Sequence, residues 1–389
     1  SLPLPRLRAV EAFTVEVEGA PMICLRDPEG VAAEAVVLSP GAFLIASLLD
    51  GEAGVGTIRT RVADAAEGLR VSGEEIQALV KQLDERGFLD TPSYRLQRAE
   101  ARRKFAEAPV RPSSHAGAAY PDEPAALHAL IRSCFAAGNG PGWLEVANPA
   151  RPAPAGIVAP HVDYARGGPV YAWAHRRLVE SPLPELIIVL GVAHQAIPQP
   201  FALTRKTFET PLGRVETDLD AGRALESACG VWLFEEEFAH KDEHSVEFQL
   251  PWLQALHPGR TFRIVPVLCA AFEQFTGKKS PESDRKIKDA LGAFGALVRE
   301  RRALVLASVD LSHVGPRFGD EIAVDDALAD AVRDADERLL GHAKTGDREA
   351  FWAAGLADGN ARRVDALSAV YALLAMTGGP RGEVLAYGQ

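Results

Sequence analysis

The sequence predicts an α/β protein in which a mostly parallel central sheet is flanked by helices, with a small winged-helix-like domain in front of it. Helical patterns with start and stop signals occupy most of the first ninety residues, and strand-sized apolar runs alternate with helical stretches beyond them, which is typical of a layered parallel sheet. The apolar runs lie at 156–160, 186–191, 263–268 and 303–308, and the helical stretches around 122–137, 168–180, 245–257, 282–300, 322–342 and 364–376. We therefore predict a first domain over 1–91, a linker over 92–112 and the α/β domain over 113–389.

Composition and charge narrow the function classes. With 389 residues, of which 47% are hydrophobic, the chain can bury at least one large core. A formal net charge of -11 argues against a broad surface for nucleic acid or for an anionic membrane. The apolar runs are far shorter than the roughly 18 residues needed to span a bilayer. The four scattered cysteines and the absence of a secretory leader pattern predict a cytoplasmic protein.

The first domain carries clear helix signals. Ser39-Pro40-Gly41 predicts a helix start, with proline in the first helical position. Ser72 and Glu75 form a capping-box pattern, and the helix that follows is predicted to stop at Gly87. The order of the predicted elements indicates a winged-helix-like module: a hairpin around 26–30 comes first, and three helices and a short strand at Phe88-Leu89 follow it.

This module resembles the PqqD-like, peptide-recognition version of the winged helix. The resemblance rests on Leu48-Leu49-Asp50-Gly51, Thr57-Ile58, Glu75-Ile76 and the closing segment 83–89. Acidic residues outnumber basic ones over 56–90, so a DNA-recognition face is not expected. The resemblance implies docking of a peptide or protein along the hairpin edge.

Two histidines follow predicted buried strands. His161 comes after the apolar run that begins at Gly156, and His194 comes after the run that begins at Leu186. Because ligands usually bind at the carboxyl edge of such a sheet, we expect the two rings to meet there. A turn histidine bonded to backbone is the alternative for either residue alone. Two imidazoles and one oxygen ligand can hold divalent iron, copper or zinc.

A third histidine candidate lies in the segment His240-Lys241-Asp242-Glu243-His244. The i, i+4 spacing of His240 and His244 is a metal-ligand spacing on a helix, but Asp242 resembles a helix cap between them. We predict His244 as a general acid or base in the pocket and His240 as its neighbour, with a surface role for His240 as the alternative. The other residues predicted to line this pocket are Asp163, Tyr164, Glu243 and Glu247.

The third metal ligand is left open by the residues alone. Asp310 follows the last predicted strand, and Ser312 and His313 lie just beyond it. A carboxylate at this position can complete a two-histidine, one-carboxylate set, orient a ligating imidazole, or simply cap a turn. Sequence motifs for a serine nucleophile elbow, a phosphate-binding loop and a dinucleotide-binding loop are absent from the chain.

Residues from about 113 onward resemble the MEMO family, whose bacterial branch is called AmmeMemoRadiSam system protein B. Six ordered motifs carry this resemblance. They are Ala116-Gly117 to Tyr120-Pro121, Ala159-Pro160-His161 to Tyr164, Gly191 to His194, Thr210 to Gly213 with Asp218, Glu243 to Pro251, and Ser308 to His313.

The family's fold is similar to that of class III extradiol dioxygenases, and this likeness implies roles for individual residues. His161 and His194 would bind the metal, with Fe(II) favoured and Cu or Zn as alternatives, and His244 would move protons. The third ligand position falls on Ser312, where animal members carry a cysteine and the dioxygenases a glutamate. A neutral hydroxyl is a weaker ligand, so Asp310 or His313 could take its place.

Two function classes follow from this resemblance. The first is a metal-dependent, dioxygenase-like oxidoreductase acting on a small molecule or a peptide. The second is a non-catalytic metal- or peptide-binding scaffold whose first domain docks a partner, because fold likeness alone does not establish a reaction. The family name also implies a radical-SAM protein and an AMMECR1-like protein as partners, and neither nucleic acid nor a membrane is expected.

Overall fold

The computed structural model describes residues 2–32, 34–66, 69–143 and 151–389. The chain divides into two compact units, with the boundary between Glu107 and Ala108. Among the described residues, no helix combines the length and apolar character that crossing a bilayer requires. The result is a mixed α/β architecture whose two units are described separately below.

The first unit combines a small antiparallel sheet with four helices. Its strands are β1 (Glu11–Val17), β2 (Ala20–Arg26) and β3 (Val36–Leu38), paired in that order. Its helices are α1 (Pro40–Ser47), α2 (Val55–Ala65), α3 (Gly73–Glu85) and α4 (Pro92–Glu107). One side of the sheet and the first three helices enclose an apolar core that includes Leu25, Leu38, Ile58, Val62, Ile76, Leu83 and Phe88.

Local sequence signals explain where these helices begin. Ser39 accepts a hydrogen bond from the Ala42 N–H at the start of α1, and Ser72 and Glu75 form both bonds of a capping box at α3. The predicted strand at Phe88-Leu89 is a single bridge between Leu89 and Leu7. The winged-helix interpretation stays a prediction.

The segment predicted as a linker, 92–112, is divided: its first part is a helix of the first unit, and its last part contains a strand of the second unit. Residues 92–107 form α4, and Glu29 accepts hydrogen bonds from Arg98 at 2.6 and 2.7 Å and from the Tyr94 hydroxyl at 2.8 Å. These bonds tie α4 to the first unit. Val110–Arg111 instead form β4, a strand of the second unit's sheet.

The second unit is built on an eight-stranded sheet within the described residues. Its strands after β4 are β5 (Gly156–Ala159), β6 (Leu186–Val192), β7 (Phe201–Leu203), β8 (Thr207–Thr210), β9 (Gly213–Thr217), β10 (Arg263–Cys269) and β11 (Leu304–Ser308). The order is β4-β8-β9-β10-β6-β11-β5, with β7 beside β10. Five of these pairings are parallel, and only β7 with β10 and β8 with β9 are antiparallel.

Helices cover both faces of this sheet. They are α5 (Pro124–Ala136), α6 (Tyr164–Val179), α7 (Leu219–Cys229), α8 (His244–Glu247), α9 (Gln249–Leu256), α10 (Glu273–Thr276), α11 (Arg285–Arg301), α12 (Asp326–Thr345), α13 (Arg348–Gly355) and α14 (Ala366–Thr377). Alternate side chains of β6 enter different cores: Ile188 packs with residues of α11 and α14, and Ile187 packs with residues of α6 and α9. Burial on both faces explains why the strand is a continuous apolar run.

The order of three strands positions the site. β6, β11 and β5 are neighbours and run parallel, so their carboxyl ends lie at one edge of the sheet. His161 follows β5, His194 follows β6 and Asp310 follows β11. The predicted convergence of His161 and His194 therefore follows directly from the sheet topology.

Candidate metal centre

Three imidazoles meet at this edge of the sheet. The ring centroids of His161 and His194 are 5.0 Å apart, and the His244 ring lies 5.1 Å from the first and 4.7 Å from the second. One ring nitrogen from each residue lies within 4.8 Å of the other two. This cluster could hold a metal ion, because imidazole nitrogens are common ligands of first-row transition metals.

His161 is fixed by a backbone acceptor. Its Nδ1 lies 3.0 Å from the carbonyl oxygen of Ser308, at the end of β11. A carbonyl can only accept, so Nδ1 is the donor and Nε2 faces the site. Burial opposes protonation of this ring, but the charges of Asp365 and Asp310 outweigh it and raise the pKa of His161 to about 10.

His194 is fixed by a carboxylate. Its Nδ1 lies 3.0 Å from each carboxylate oxygen of Glu243. Glu243 also accepts from the His194 N–H at 3.2 Å and from the Ser245 N–H at 2.9 Å, which caps α8. Burial alone would raise the pKa of Glu243, but His194 and His244 hold it well below its usual range. The predicted cap, Asp242, is thus replaced in that role by Glu243.

His244 is the first residue of α8 and remains neutral. Burial is the main cause that lowers the pKa of His244; the charge of Glu243 opposes it, but the neighbouring imidazoles add to the effect of burial and the pKa falls to about 3. The His115 ring lies 5.7 Å from it, edge to face. His115 was missed by the sequence analysis, although it stands directly before the Ala116-Gly117 motif.

Asp365 is the second residue that the sequence analysis missed. Its Oδ2 lies 3.1 Å from Nε2 of His161, 4.0 Å from Nε2 of His194 and 3.7 Å from Nε2 of His313. Asp365 directly precedes α14 and gives no capping bond to that helix. The sequence offers only a polar loop before an apolar helix, and that pattern does not indicate a metal-site residue.

Asp310 and His313 lie at the same edge, as predicted from their position after β11. Asp310 accepts from the backbone N–H of His161 at 3.1 Å, and its other oxygen lies 3.7 Å from Nε2 of that ring. The Nδ1 of His313 lies 3.0 Å from the carbonyl oxygens of Leu311 and Arg363. Both residues therefore border the imidazole cluster.

Ser312, which the resemblance predicts as a candidate third ligand, is bonded to other residues. Its hydroxyl donates to Asp336 of α12 at 2.6 Å and accepts from Nε of Arg362 at 3.0 Å. Asp336 is buried and also accepts from the Tyr387 hydroxyl at 3.0 Å. The Ser312 oxygen is thus engaged in a separate polar network.

Comparison with known proteins identifies the family of the second unit. The family model described as Memo-like protein matches residues 111–389. The chain belongs to the Memo-like family. A MEMO1 family protein of Thermus thermophilus is 33% identical over 82% of this chain and 89% of its own length. A MEMO1 family protein of Methanopyrus kandleri is 37% identical over 52% of this chain and 68% of its own length. The likenesses to extradiol dioxygenases and to PqqD stay predictions.

Two further predicted site residues of this Memo-like protein lie in a neighbouring buried network. Glu247 forms an ion pair with Arg111 of β4 and accepts from the Tyr120 hydroxyl at 2.6 Å. His240 lies in a separate 3-10 helix, Glu237–His240, and its Nε2 bonds the Ala202 carbonyl at 2.9 Å. Both are buried, so the surface alternative for His240 does not hold.

Asp163 and Tyr164 mark the start of α6. The Asp163 carboxylate accepts from the Arg166 N–H at 3.1 Å and pairs with the Arg166 side chain. Tyr164 is buried and donates to the Phe248 carbonyl. Their polar atoms hold the helix and the loop in place.

A cavity of about 350 Å³ lies beside the imidazole cluster of this Memo-like protein. It falls at the lower end of the size range of small-molecule sites. Its lining comes from the ends of β6 and β10, from α10, and from α14 and the loop before it, and includes Val192, Ala193, Cys269, Glu273, Asn360, Arg363, Asp365 and Ser368. Asp365 thus borders both the cavity and the ring nitrogens.

Proposed function

We propose that this Memo-like protein is a divalent-metal-dependent oxidoreductase of the dioxygenase-like type, with Fe(II) as the favoured metal and Cu or Zn as alternatives. One observation carries the proposal: three imidazoles converge at a strand edge, and two of them have Nδ1 committed to acceptors outside the site. This is how metal-ligating histidines are usually oriented.

The donor set fits such a metal. Imidazole nitrogens with carboxylate oxygens nearby suit Fe(II), Cu and Zn, and iron sites of this type keep positions open for substrate. His161 and His194 would hold the ion. A bound divalent cation would polarise a coordinated oxygen of the substrate and ease loss of its proton.

The protein's own residues supply orientation and proton transfer. Ser308 and Glu243 fix the two ligating rings, so little reorganisation accompanies binding. His244 is neutral, and its imidazole can accept a proton from a substrate held against the other two rings. The adjoining cavity would admit a small molecule or the end of a peptide.

Replacing His244 tests whether this residue transfers protons in the reaction without being needed for metal binding. We expect His244→Ala to retain the metal and to lose about 10²- to 10⁴-fold in turnover, the usual contribution of a general acid or base. Metal content would be measured by elemental analysis and O2 uptake with an electrode across a panel of catechols. The matched variant His161→Ala should lose the metal. Loss of metal from His244→Ala would contradict the assigned role.

A non-catalytic scaffold is the second candidate. The position of Ser312 favours it, because the hydroxyl is engaged with Asp336 and gives the site no strong ligand. Iron content and O2 uptake, measured on protein purified without added ions, decide between the two candidates: stoichiometric iron with O2 uptake supports the enzyme, whereas an empty site, or iron without turnover, supports the scaffold.

The partner proteins are a separate part of the proposal. A radical-SAM protein and an AMMECR1-like protein are proposed by family resemblance, with the first unit as the docking module and the cytoplasm as the compartment. Affinity purification with and without residues 1–107 tests this, because binding should depend on the first unit.

A further inference from the structure

We infer that a chain of buried aromatic rings behind the imidazole cluster is an electron-transfer path, along which Tyr164 and Trp252 relay one electron from Trp143 at the surface to an oxidant at the metal centre. This inference rests on the proposed function and adds one-electron chemistry to it. Phenol and indole rings are among the side chains most easily oxidised by one electron, and rings in contact exchange electrons rapidly.

The inner end of the path touches the imidazole cluster. The centroid of the Phe248 ring lies 5.0 Å from that of His244 and 5.6 Å from that of Tyr164. Tyr120 is stacked on Tyr164 at 5.3 Å, and both tyrosines and Phe248 are buried. Because a phenylalanine ring is hard to oxidise, Phe248 bridges the step between the cluster and the first phenol.

Tyr171 and Trp252 continue the path through the core. The Trp252 ring lies 5.6 Å from Tyr164, and Tyr171 lies 5.2 Å from Tyr164 and 5.3 Å from Trp252. The planes of Tyr171 and Trp252 differ by only 4°, so their π systems overlap. Among the described residues, every succession of ring contacts from the cluster to Trp252 passes through Tyr164.

Trp143 is the outer end of the path. The Phe135 ring lies 6.2 Å from Trp252 and 5.2 Å from Trp143, and these distances are within the range of about 4.5 to 7 Å that is usual for aromatic contacts. Trp143 is 36% exposed. The aromatic path therefore reaches solvent, and it comprises Phe248, Tyr164, Tyr171, Trp252, Phe135 and Trp143.

The electron balance is that of peroxide reduction. Hydrogen peroxide takes up two electrons, and two protons from solvent, to give two water molecules. One electron comes from Fe(II), which becomes Fe(III), and the other comes from the aromatic path. Trp143 passes its N–H proton to solvent and is left as a neutral indolyl radical. A reductant of the ascorbate class then returns one hydrogen atom to the indole.

Simple packing is the rival explanation. Six of the ten residues in this buried cluster are aromatic, and a core could use them for their volume alone. Tyr164→Phe separates the two explanations, because phenylalanine fills the same space but does not carry the oxidised state. Tyr371→Phe is the matched control, since it also removes a buried ring's hydroxyl group, but from a different core.

The experiment loads the full-length protein with Fe(II) in the absence of O2, adds a limiting amount of hydrogen peroxide and maps oxidised residues by mass spectrometry. The reference residue is Trp232, a partly buried indole outside the path. Fe(II)–EDTA in solution, acting on the metal-free protein, gives the ratio of Trp143 to Trp232 oxidation that exposure alone produces.

We expect the iron-loaded protein to oxidise Trp143 in excess of this ratio, Tyr164→Phe to lose the excess and Tyr371→Phe to keep it. Protein loaded with Zn(II) should show no excess, because zinc has no redox chemistry. Titration with Co(II), whose visible spectrum reports binding, checks that each variant keeps the metal site, and thermal melting checks that it folds.

The outcomes separate this inference from the proposed function. An unmodified protein that takes up no iron overturns both. Iron uptake without excess oxidation of Trp143, or an excess that Tyr164→Phe leaves unchanged, overturns the inference alone. Freeze-quench electron paramagnetic resonance of protein with ring-deuterated tryptophan needs no variant: a radical signal narrowed by the deuterium supports the path, and a signal insensitive to deuterium overturns it.

Discussion

At the scale of single residues, some members of the candidate site can be predicted from the sequence and others cannot. His161 and His194 are predictable because each follows an apolar run, and parallel neighbouring strands bring such positions together. Asp365 follows no strand. Its place beside the rings depends on the pairing of residues 309–313 with the loop before α14, and no local pattern encodes that pairing.

Glu243 offers a test of how the rings are oriented. We expect Glu243→Gln to weaken Co(II) binding by about 10- to 100-fold, because the amide cannot match the charge that fixes Nδ1 of His194. Titration of the two proteins side by side measures the effect. Asp242→Asn is the matched control, since that carboxylate is partly exposed and pairs with Lys241. Equal affinities for Glu243→Gln and Asp242→Asn would contradict this role.

At the scale of elements, the long pieces of the second unit are predictable and the short ones are not. The strand predicted at 186–191 is β6, and the helix predicted around 364–376 is α14. The strands β7 to β9 were missed because they have only three to five residues each, and because β8 and β9 also mix polar with apolar positions. The two-residue β4 exists only through its pairing with β8.

The ion pair that joins β4 to α8 predicts a pH dependence. Burial would raise the pKa of Glu247, but the hydrogen bond from His115 and the charge of Arg111 lower it to about 2, against an ordinary value of 4.5. A lowered folded-state pKa adds stability above the unfolded value, and this contribution is lost as the pH falls. We therefore expect the free energy of unfolding to decrease between about pH 4.5 and pH 2.

Glu247→Gln isolates this contribution. The variant should lose about 3 to 5 kcal/mol at neutral pH, because Arg111 is left buried without a counter-charge, and its stability should vary less between those pH values. Urea unfolding at a series of pH values measures both effects. Glu209→Gln, which removes an exposed carboxylate on β8, should keep the unmodified slope. Parallel pH profiles for Glu247→Gln and the unmodified protein would refute the assignment.

At the scale of the whole molecule, the candidate metal centre lies within the second unit. The imidazoles, the carboxylates that surround them and the cavity all lie within residues 108–389, as does the family match. The first unit has its own apolar core and holds α4 through Glu29. The sequence analysis began the α/β domain at residue 113, whereas the second unit begins at Ala108. The difference arises because α4 is polar on most of its surface and resembles a linker.

This division predicts that residues 108–389 alone bind Co(II) with the affinity of the full chain. Starting at Ala108 keeps β4, whose Arg111 neutralises Glu247, and keeps the bond from Lys206 to the Ala108 carbonyl. A fragment that starts at Ser113 is the matched control. It leaves Glu247 buried without Arg111, so we expect it to melt at a lower temperature at neutral pH, where an uncompensated buried carboxylate is ionised, and to recover part of this loss as the pH falls and the carboxyl group is protonated. Isothermal titration and thermal melting of the two fragments give the comparison. Equal stability of the two would show that the Arg111–Glu247 pair does not support the metal centre, because the shorter fragment would have lost a strand and a buried charge without consequence.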